Sequence, residues 1–261
     1  MRVYIMTDME GISGVCRKGH VSGGDPLYAA GRRYMTWDIN ACIEGCFDGG
    51  ATEVVAHDCH GGSGNILWDE LDPRGQYVIG PPGGRRFDAI ETFDGLILLG
   101  YHAMAGTREA ILEHTMASRV WQNFWLNGRK CGEIGIDSAI AGEHGVPTIM
   151  VSGDDKTCRE AEEFIPGVVT APVKTGLALE GGRLLSVKAA HRLIAERAAQ
   201  AVQSIGSIEP IRTEPPVTMR LEYVSRGKVP DRGEKPYITV IDGRTFEATG
   251  DSVEQTLWRL L

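Results

Sequence analysis

Five side chains of the types that bind metal ions lie beside short apolar segments typical of strands. They are Asp8, Glu10, His60, His102 and Glu133. Parallel strands bring the ends of distant segments together along one edge of a sheet, where open α/β proteins place their ligand sites. This mixture of carboxylates and imidazoles suits one or two zinc-like ions. Because two such ions could polarise an amide carbonyl and supply hydroxide at neutral pH, the pattern predicts a metal-dependent hydrolase.

Each of these residues, taken alone, also has an ordinary structural explanation. Asp8 could cap a turn while Glu10 points into solvent. A single histidine after a strand, such as His60 or His102, is more often a surface or core residue. Glu133 could interact with the dipole of a helix that starts beside it. The joint placement of all five favours the metal site.

Further candidates flank this set. His114 lies in a polar stretch and could act beside a metal pair as a general acid or base, or as a nucleophile, although a surface loop explains it equally well. Asp58 could be another ligand, or it could orient an imidazole. His57 points opposite to Asp58 in an extended chain and is expected to be structural. His20 and His191 are expected at the surface.

Several well-known site motifs do not occur in the sequence. Neither HExxH nor GxSxG is present, and the glycine-rich segment 61–64 matches neither GxGxxG nor GxxxxGK[ST]. Cys59 and His60 are neighbours on an extended chain and point to opposite faces, so a Cys-His nucleophile pair is not expected. We expect the glycine-rich loop to let the backbone pass close to the metal site.

Strands and helices alternate along the first part of the chain. Residues 3–6 and 52–56 are apolar runs typical of buried strands, and residues 35–46 between them have the apolar spacing of an amphipathic helix. This order implies a right-handed crossover and a parallel sheet. Further strands are predicted at 96–99, 147–152 and 168–173, and further helices at 134–144 and 186–205. We therefore predict an α/β fold: a three-layer, Rossmann-like catalytic body with a parallel sheet, formed by residues 1–207.

Residues 208–261 are predicted to form a small C-terminal α+β subdomain. A proline-containing segment, 209–216, precedes three short strands and a last helix. Two dipeptides are hairpin signals: Asp242-Gly243 within this part and Asn127-Gly128 in the body.

Composition limits the possible partners and the compartment. The net charge of -8 disfavours general binding to nucleic acid or to anionic membranes, because phosphate binding needs a basic field. The six cysteines are scattered without a CxxC pair, so we expect reduced thiols. Neither a signal peptide nor a transmembrane segment is expected, and the cytoplasm is the expected location.

The ordered segments resemble a known family. The heptapeptide DMEGISG at residues 8–14 is similar to the opening signature of the bacterial zinc-dependent D-aminopeptidases, of the type found in a dipeptide-transport operon. The similarity continues in the same order through residues 58–60, 99–103, 132–135 and 153–155. It covers about residues 1–175 well and the C-terminal part only loosely.

This resemblance implies a dinuclear zinc site. Asp8, Glu10 and His60 would hold one ion, with Asp8 bridging to a second ion held by His102 and Glu133. Family members release an N-terminal residue from short peptides and favour D-amino acids such as D-Ala. They form a decamer of two stacked pentameric rings with the active sites facing an inner channel.

The family's catalytic histidine corresponds to His114. The segment around it departs from the family pattern, because Glu113 and Thr115 replace two serines and the spacing from His102 is one residue longer. Cys59 also replaces a serine. These departures lie near the site, so the substrate pocket and the contacts between subunits are expected to differ from the family type.

The hypothesis is therefore a cytoplasmic, homodecameric dizinc aminopeptidase that acts on short peptides. Two alternatives stay open at this point: another dinuclear metallohydrolase that cleaves a phosphoester or a cyclic amide, and a non-catalytic binding protein stabilised by its metal. Sites rich in carboxylates and histidine leave coordination positions open, whereas structural zinc is usually closed by cysteine, so catalysis is favoured.

Overall fold

The computed structural model describes residues 1–230 and 235–261, which form two sheets flanked by helices. The strands are β1 (Arg2–Thr7), β2 (Glu53–Asp58), β3 (Gln76–Ile79), β4 (Gly95–Leu99), β5 (Trp121–Leu126), β6 (Arg129–Lys130), β7 (Thr148–Asp154), β8 (Val169–Ala178), β9 (Gly181–Leu184), β10 (Val217–Tyr223), β11 (Ile238–Val240) and β12 (Thr245–Gly250). The α-helices are α1 (Tyr28–Asp48), α2 (Glu133–Glu143), α3 (Asp155–Phe164), α4 (Val187–Gln203) and α5 (Val253–Leu260).

The larger sheet has the order β3-β2-β1-β4-β7-β8-β9. All neighbours are parallel except β9, which returns antiparallel to β8. The strands β1, β4 and β7 are buried along nearly their whole length, which explains their almost continuous apolar sequences. The predicted strands of the body are thus confirmed, whereas β9 and the outer half of β8 were not predicted.

Helices cover both faces of this sheet. On one side of the sheet, α1 connects β1 to β2. On the other side, α2 leads from β4 to β7, and α3 connects β7 to β8. Because such crossovers are right-handed, α1 lies on one face and α2 and α3 on the opposite face. Helix α4 packs on α1. The predicted three-layer α/β fold is confirmed.

The smaller sheet is antiparallel, with the order β11-β12-β10-β5-β6. The turn between β5 and β6 is the predicted hairpin, with positive φ angles at Asn127 (44°) and Gly128 (77°). The predicted antiparallel C-terminal part exists, but its sheet also takes in residues 121–130 from the body. The division of the chain at residue 207 stays a prediction.

Helix α5 packs on β10, β12 and α2, so the smaller sheet is joined to the layer that contains α2. Within the described residues, no helix is long and apolar enough to cross a membrane.

Candidate metal centre

Three neighbouring strands of the larger sheet deliver the first candidate residues. Strand β1 lies between β2 and β4, and all three run in the same direction. Asp8 follows β1 directly, His60 follows β2 and His102 follows β4. The connections from β1 and from β4 leave in opposite directions, so these carboxyl ends form the topological switch point of the sheet, where α/β proteins bind ligands.

Two glycines let the loops beyond β1 and β4 cross. The amide of Gly11 donates to the carbonyl of Gly100 at 2.7 Å. A Cβ atom on Gly11 would lie 1.8 Å from the carbonyl oxygen of Tyr101, so a larger residue cannot stand there. Gly100 has φ 71°, in the left-handed region that glycine adopts without strain. The close crossing brings the loop of Glu10 beside the loop of His102.

Asp8, Glu10 and His60 form a first group. The Nδ1 atom of His60 lies 3.0 Å from Asp8 Oδ1 and 3.0 Å from Glu10 Oε2. Its Nε2 atom lies 3.0 Å from the carbonyl oxygen of Val21. A carbonyl only accepts, so Nε2 carries a hydrogen and, in the neutral ring, the lone pair of Nδ1 faces both carboxylates.

His102, Glu133 and His114 form a second group. His102 Nε2 lies 3.2 Å from Glu133 Oε1 and 3.2 Å from the second oxygen of Asp8, so Asp8 faces both groups. The rings of His102 and His114 stack with centroids 3.9 Å apart, and His114 Nε2 lies 3.9 Å from Glu133 Oε1. The Nδ1 atoms of the two rings face the carbonyls of Ala103 and Leu112, which leaves both Nε2 lone pairs directed at the site in the neutral rings.

Burial and charge oppose each other in both groups. Burial raises the pKa of Asp8, but its contacts with His102 and His60 outweigh that effect and hold this pKa well below its usual value. Burial lowers the pKa of His60, but the contacts with Asp8 and Glu10 outweigh that effect and raise this pKa to about 12. The same opposition, with Glu133 as the strongest attracting charge, holds the pKa of His102 well above its usual value. The buried carboxylates therefore require positive charge between them, from protons or from metal ions.

Two buried atoms distinguish these possibilities. Among the described residues, neither Glu10 Oε2 nor His102 Nε2 makes a hydrogen bond of acceptable geometry, although charged neighbours lie within 3.2 Å. Ligand atoms at zinc distances of 2.0–2.2 Å around a tetrahedral ion stand roughly 3.3 Å apart, close to the separations within these groups. The residues present therefore fit zinc, and each group of three could hold one ion.

The two groups lie at one cleft of about 540 Å³. His114 lines this cleft, whereas His102 lies beneath it and is 2% exposed. The outer wall includes residues of either charge, namely Lys18, Arg119, Glu113 and Glu180. A substrate in the cleft would therefore meet His114 and the metal groups directly.

Comparison with known proteins identifies one family whose similarity spans the entire chain. The sequence profile of the D-aminopeptidase family of peptidases (Peptidase_M55) matches residues 1–261. The chain belongs to the D-aminopeptidase family. A D-aminopeptidase of Bacillus subtilis (strain 168) is 36% identical over 232 residues, which are 87% of this chain and 83% of that protein.

A solved structure also superposes on the structure of this chain. It is the Zn-dependent D-aminopeptidase DppA from Bacillus subtilis, described as a self-compartmentalizing protease, with a TM-score of 0.93 and 31% identity. The match covers 100% of this chain and 95% of that one. The predicted family is thereby confirmed, and with it the prediction of a zinc-dependent peptide hydrolase.

In the described part of the structure, Asp58 contacts Asn65 and is neither a ligand nor a group that orients an imidazole, the two roles that the sequence left open. Its carboxylate accepts hydrogen bonds from the backbone and the side chain of Asn65, at 2.5 and 2.8 Å. The side chain of Asn65 also donates to the carbonyl of His60 at 2.9 Å. Asp58 therefore holds the loop of His60 in place. His57, as expected, is structural, because its Nδ1 lies 2.9 Å from the hydroxyl of Tyr4.

Two buried ionisable residues beside the site were missed by the sequence analysis. The ammonium group of Lys174, on β8, contacts the loop of Glu10, and burial lowers its pKa to about 8. The carboxylate of Glu160, on α3, accepts from the amide of Met104, and burial raises its pKa to about 7. Lys174 directly follows the apolar run of β8, and a charge at such a position is the signal that could have revealed it.

Proposed function

We propose that this protein is a zinc-dependent aminopeptidase that uses two ions per chain to release N-terminal D-amino acids from short peptides. Membership of the D-aminopeptidase family supports the activity. The observation that carries the two-ion site is Asp8, whose two carboxylate oxygens face His60 and His102 at 3.0 and 3.2 Å. A carboxylate in that position suits a bridge between two metal ions.

The ligand sets follow the two groups. Asp8, Glu10 and His60 would hold one ion, and Glu133 and His102 would hold the other, with Asp8 shared. Zinc, when bound, polarises a carbonyl group and provides a nucleophile from water at neutral pH. Carbonyl contacts at the second nitrogen of His60 and of His102 fix the ring orientation and the tautomer that coordination needs.

We assign proton transfer to His114. Its Nδ1 faces the carbonyl of Leu112 at 2.9 Å, and its ring is stacked on His102, so its orientation is set from two sides. Among the described residues, no hydrogen-bond partner occupies its Nε2, which would accept a proton in the cleft and return it to the leaving amine. Side chains in this role typically contribute 100-fold to 10,000-fold in rate.

The decisive experiment is hydrolysis of D-Ala-D-Ala and L-Ala-L-Ala by purified protein, with zinc quantified in the same sample. We expect cleavage of the D-dipeptide, about two zinc ions per chain, and loss of both after treatment with a chelator. N-acetyl-D-Ala-D-Ala is the matched control, because it lacks the free amine that an aminopeptidase needs. Failure of a fully metallated sample to cleave either free dipeptide would contradict the proposal and turn the search to phosphoesters and cyclic amides.

We further propose that the protein is a homo-oligomer, specifically a decamer, and that it works in the cytoplasm. The self-compartmentalizing description of the matched structure supports assembly. Leu177, Leu179 and Leu185 expose large apolar side chains on and beside the β8–β9 hairpin, and Leu179 lines the cleft. All six cysteines lie in the described part of the chain and are free, which suits a reducing compartment. Sedimentation of the purified protein would separate a single chain of 28.3 kDa from an assembly of ten.

A further inference from the structure

The ammonium group of Lys174 is enclosed by backbone carbonyls of a single loop. Its side chain is 3% exposed. The Nζ atom donates to the carbonyl oxygens of Glu10, Ile12 and Val15, at 2.6, 2.9 and 2.7 Å. An ammonium group has three N–H donors, so these three carbonyls use all of them.

The loop has few strong bonds of its own. The two turn hydrogen bonds inside it, from the amide of Ile12 to Met9 and from that of Val15 to Ile12, are long, at 3.4 and 3.2 Å. Apart from the contacts of Lys174, its backbone hydrogen bonds to other described segments are the Gly11 crossing and the bond from Ser13 to the carboxylate of Asp38, which also accepts from the Ser13 hydroxyl. Of these contacts, only that of Lys174 reaches the backbone of Glu10 itself.

The second group is held by different residues. An oxygen of Glu133 accepts from the amide of Met116 at 2.7 Å, and Glu160 accepts from the amide of Met104. Lys174 therefore contacts the backbone that carries one group of candidate ligands, and the other group has separate supports.

We infer that Lys174 is a positioning residue that sets the zinc affinity of the Asp8, Glu10 and His60 group. The inference rests on the proposed two-zinc function and deepens it. Without the ammonium group, three buried carbonyls lose their donors and the loop no longer fixes the Glu10 carboxylate opposite His60. Changes to residues that orient metal ligands typically weaken metal binding 10-fold to 100-fold.

The test is zinc titration of the full-length protein against a chromophoric chelator. The variants are Lys174→Met, which keeps the length without donors, and Lys174→Gln, which keeps two N–H donors. Thr148→Val is the matched control, since it removes a buried hydrogen bond to Ser138 at the opposite end of the sheet. We expect Lys174→Met to weaken one of the two ions roughly 10-fold to 100-fold and leave the other within about 3-fold, with Lys174→Gln between it and the wild type. Thr148→Val should leave both affinities unchanged.

Amide hydrogen exchange in the zinc-free protein gives a second readout that does not depend on zinc binding. Residues 9–15 should exchange faster in Lys174→Gln than in the wild type, while residues 102–104 keep their protection. Unchanged zinc affinities would overturn the inference whatever the exchange result, as would equal weakening of both ions. A wild-type protein that binds no zinc would instead contradict the proposed function, and the exchange measurement would still decide whether Lys174 positions the loop.

Discussion

The two halves of the candidate metal site are held by opposite means. In the half that contains Glu10 and His60, a buried cation, Lys174, binds backbone carbonyls of the ligand loop. In the half that contains His102 and Glu133, a buried carboxyl group, that of Glu160, accepts from the backbone amide of Met104. Each group lies outside the candidate ligands and contacts the main chain beside them.

The halves also differ in access and in origin. The Glu10 half comes from the ends of two adjacent strands, β1 and β2, whereas the His102 half combines the end of β4, a loop and the first residue of α2. The loop adds His114, which lines the cleft while His102 is covered. We call the Glu10 half the sheet half and the His102 half the loop half. On this comparison, the sheet half mainly holds an ion, and the loop half also supplies the proton-transfer group.

Asp8 is the residue on which both halves depend, so its replacement should have the largest effect. Asp8→Asn keeps the shape but removes the charge that faces His60 and His102. We expect loss of both zinc ions and a fall in D-dipeptide hydrolysis of at least roughly 1000-fold, which corresponds to about 4 kcal/mol of activation free energy. Zinc content and turnover measured on one sample check this. A variant that keeps both ions would show that the halves bind metal independently.

Separate replacement of His60 and His102 should break the two halves one at a time. Each alanine variant is expected to lose one of the two proposed ions and to fall at least roughly 100-fold in activity, because two ions held at this site would both polarise the same carbonyl. Zinc per chain measured after dialysis distinguishes the cases. If both ions left in either variant, the two groups would be a single cooperative site.

The sequence predicted the strand ends of this site well for a physical reason. A buried parallel strand has a continuous apolar sequence, and the polar residue that follows it marks the carboxyl edge of the sheet, as at Asp8 and His102. Family resemblance then added the order of the segments. Local pattern was sufficient here because each ligand lies within a few residues of the strand that places it.

Contacts between distant segments could not be predicted in this way. Lys174 is about 160 residues from the loop it holds, and the pairing of β5 with β10 joins residues about 100 positions apart. In the sequence analysis, Asp58 stayed a candidate ligand or orienting group, because nothing in the local sequence marks Asn65 as its hydrogen-bond partner. These contacts depend on tertiary packing, which overrides local preference.

His114 should have an intermediate effect and should separate binding from turnover within the loop half. Its Nε2 lies 3.9 Å from Glu133, close enough that it could act as a ligand as well as a proton carrier. If it transfers protons, His114→Ala keeps two zinc ions and slows turnover at least roughly 100-fold, with a flattened pH profile. Loss of an ion from this variant would make His114 a ligand, and retained turnover would remove it from the reaction.

Glu160 should have the smallest effect, on stability rather than on activity. Burial raises its pKa to about 7 from an ordinary value of 4.5, so the fold favours the neutral acid. Its Oε2 accepts from the backbone amide of Met104, while Oε1 has no hydrogen-bond partner among the described residues. The carbonyl oxygen of a glutamine side chain could accept the same bond from Met104. Glu160→Gln therefore imitates the protonated form at every pH.

The pH dependence of Glu160 then follows from which state binds the proton more tightly. Below pH 4.5 both states are protonated and its contribution to stability is complete. As the pH rises towards 7 the unfolded state ionises first, so the wild type loses up to roughly 3 kcal/mol relative to Glu160→Gln, and the loss is complete above pH 7. Urea unfolding of both zinc-free proteins between pH 4.5 and 8 measures this difference. A constant difference across that range would mean that Glu160 stays ionised in the fold, and the loop half would then be held by a full negative charge, as the other half is held by the positive charge of Lys174.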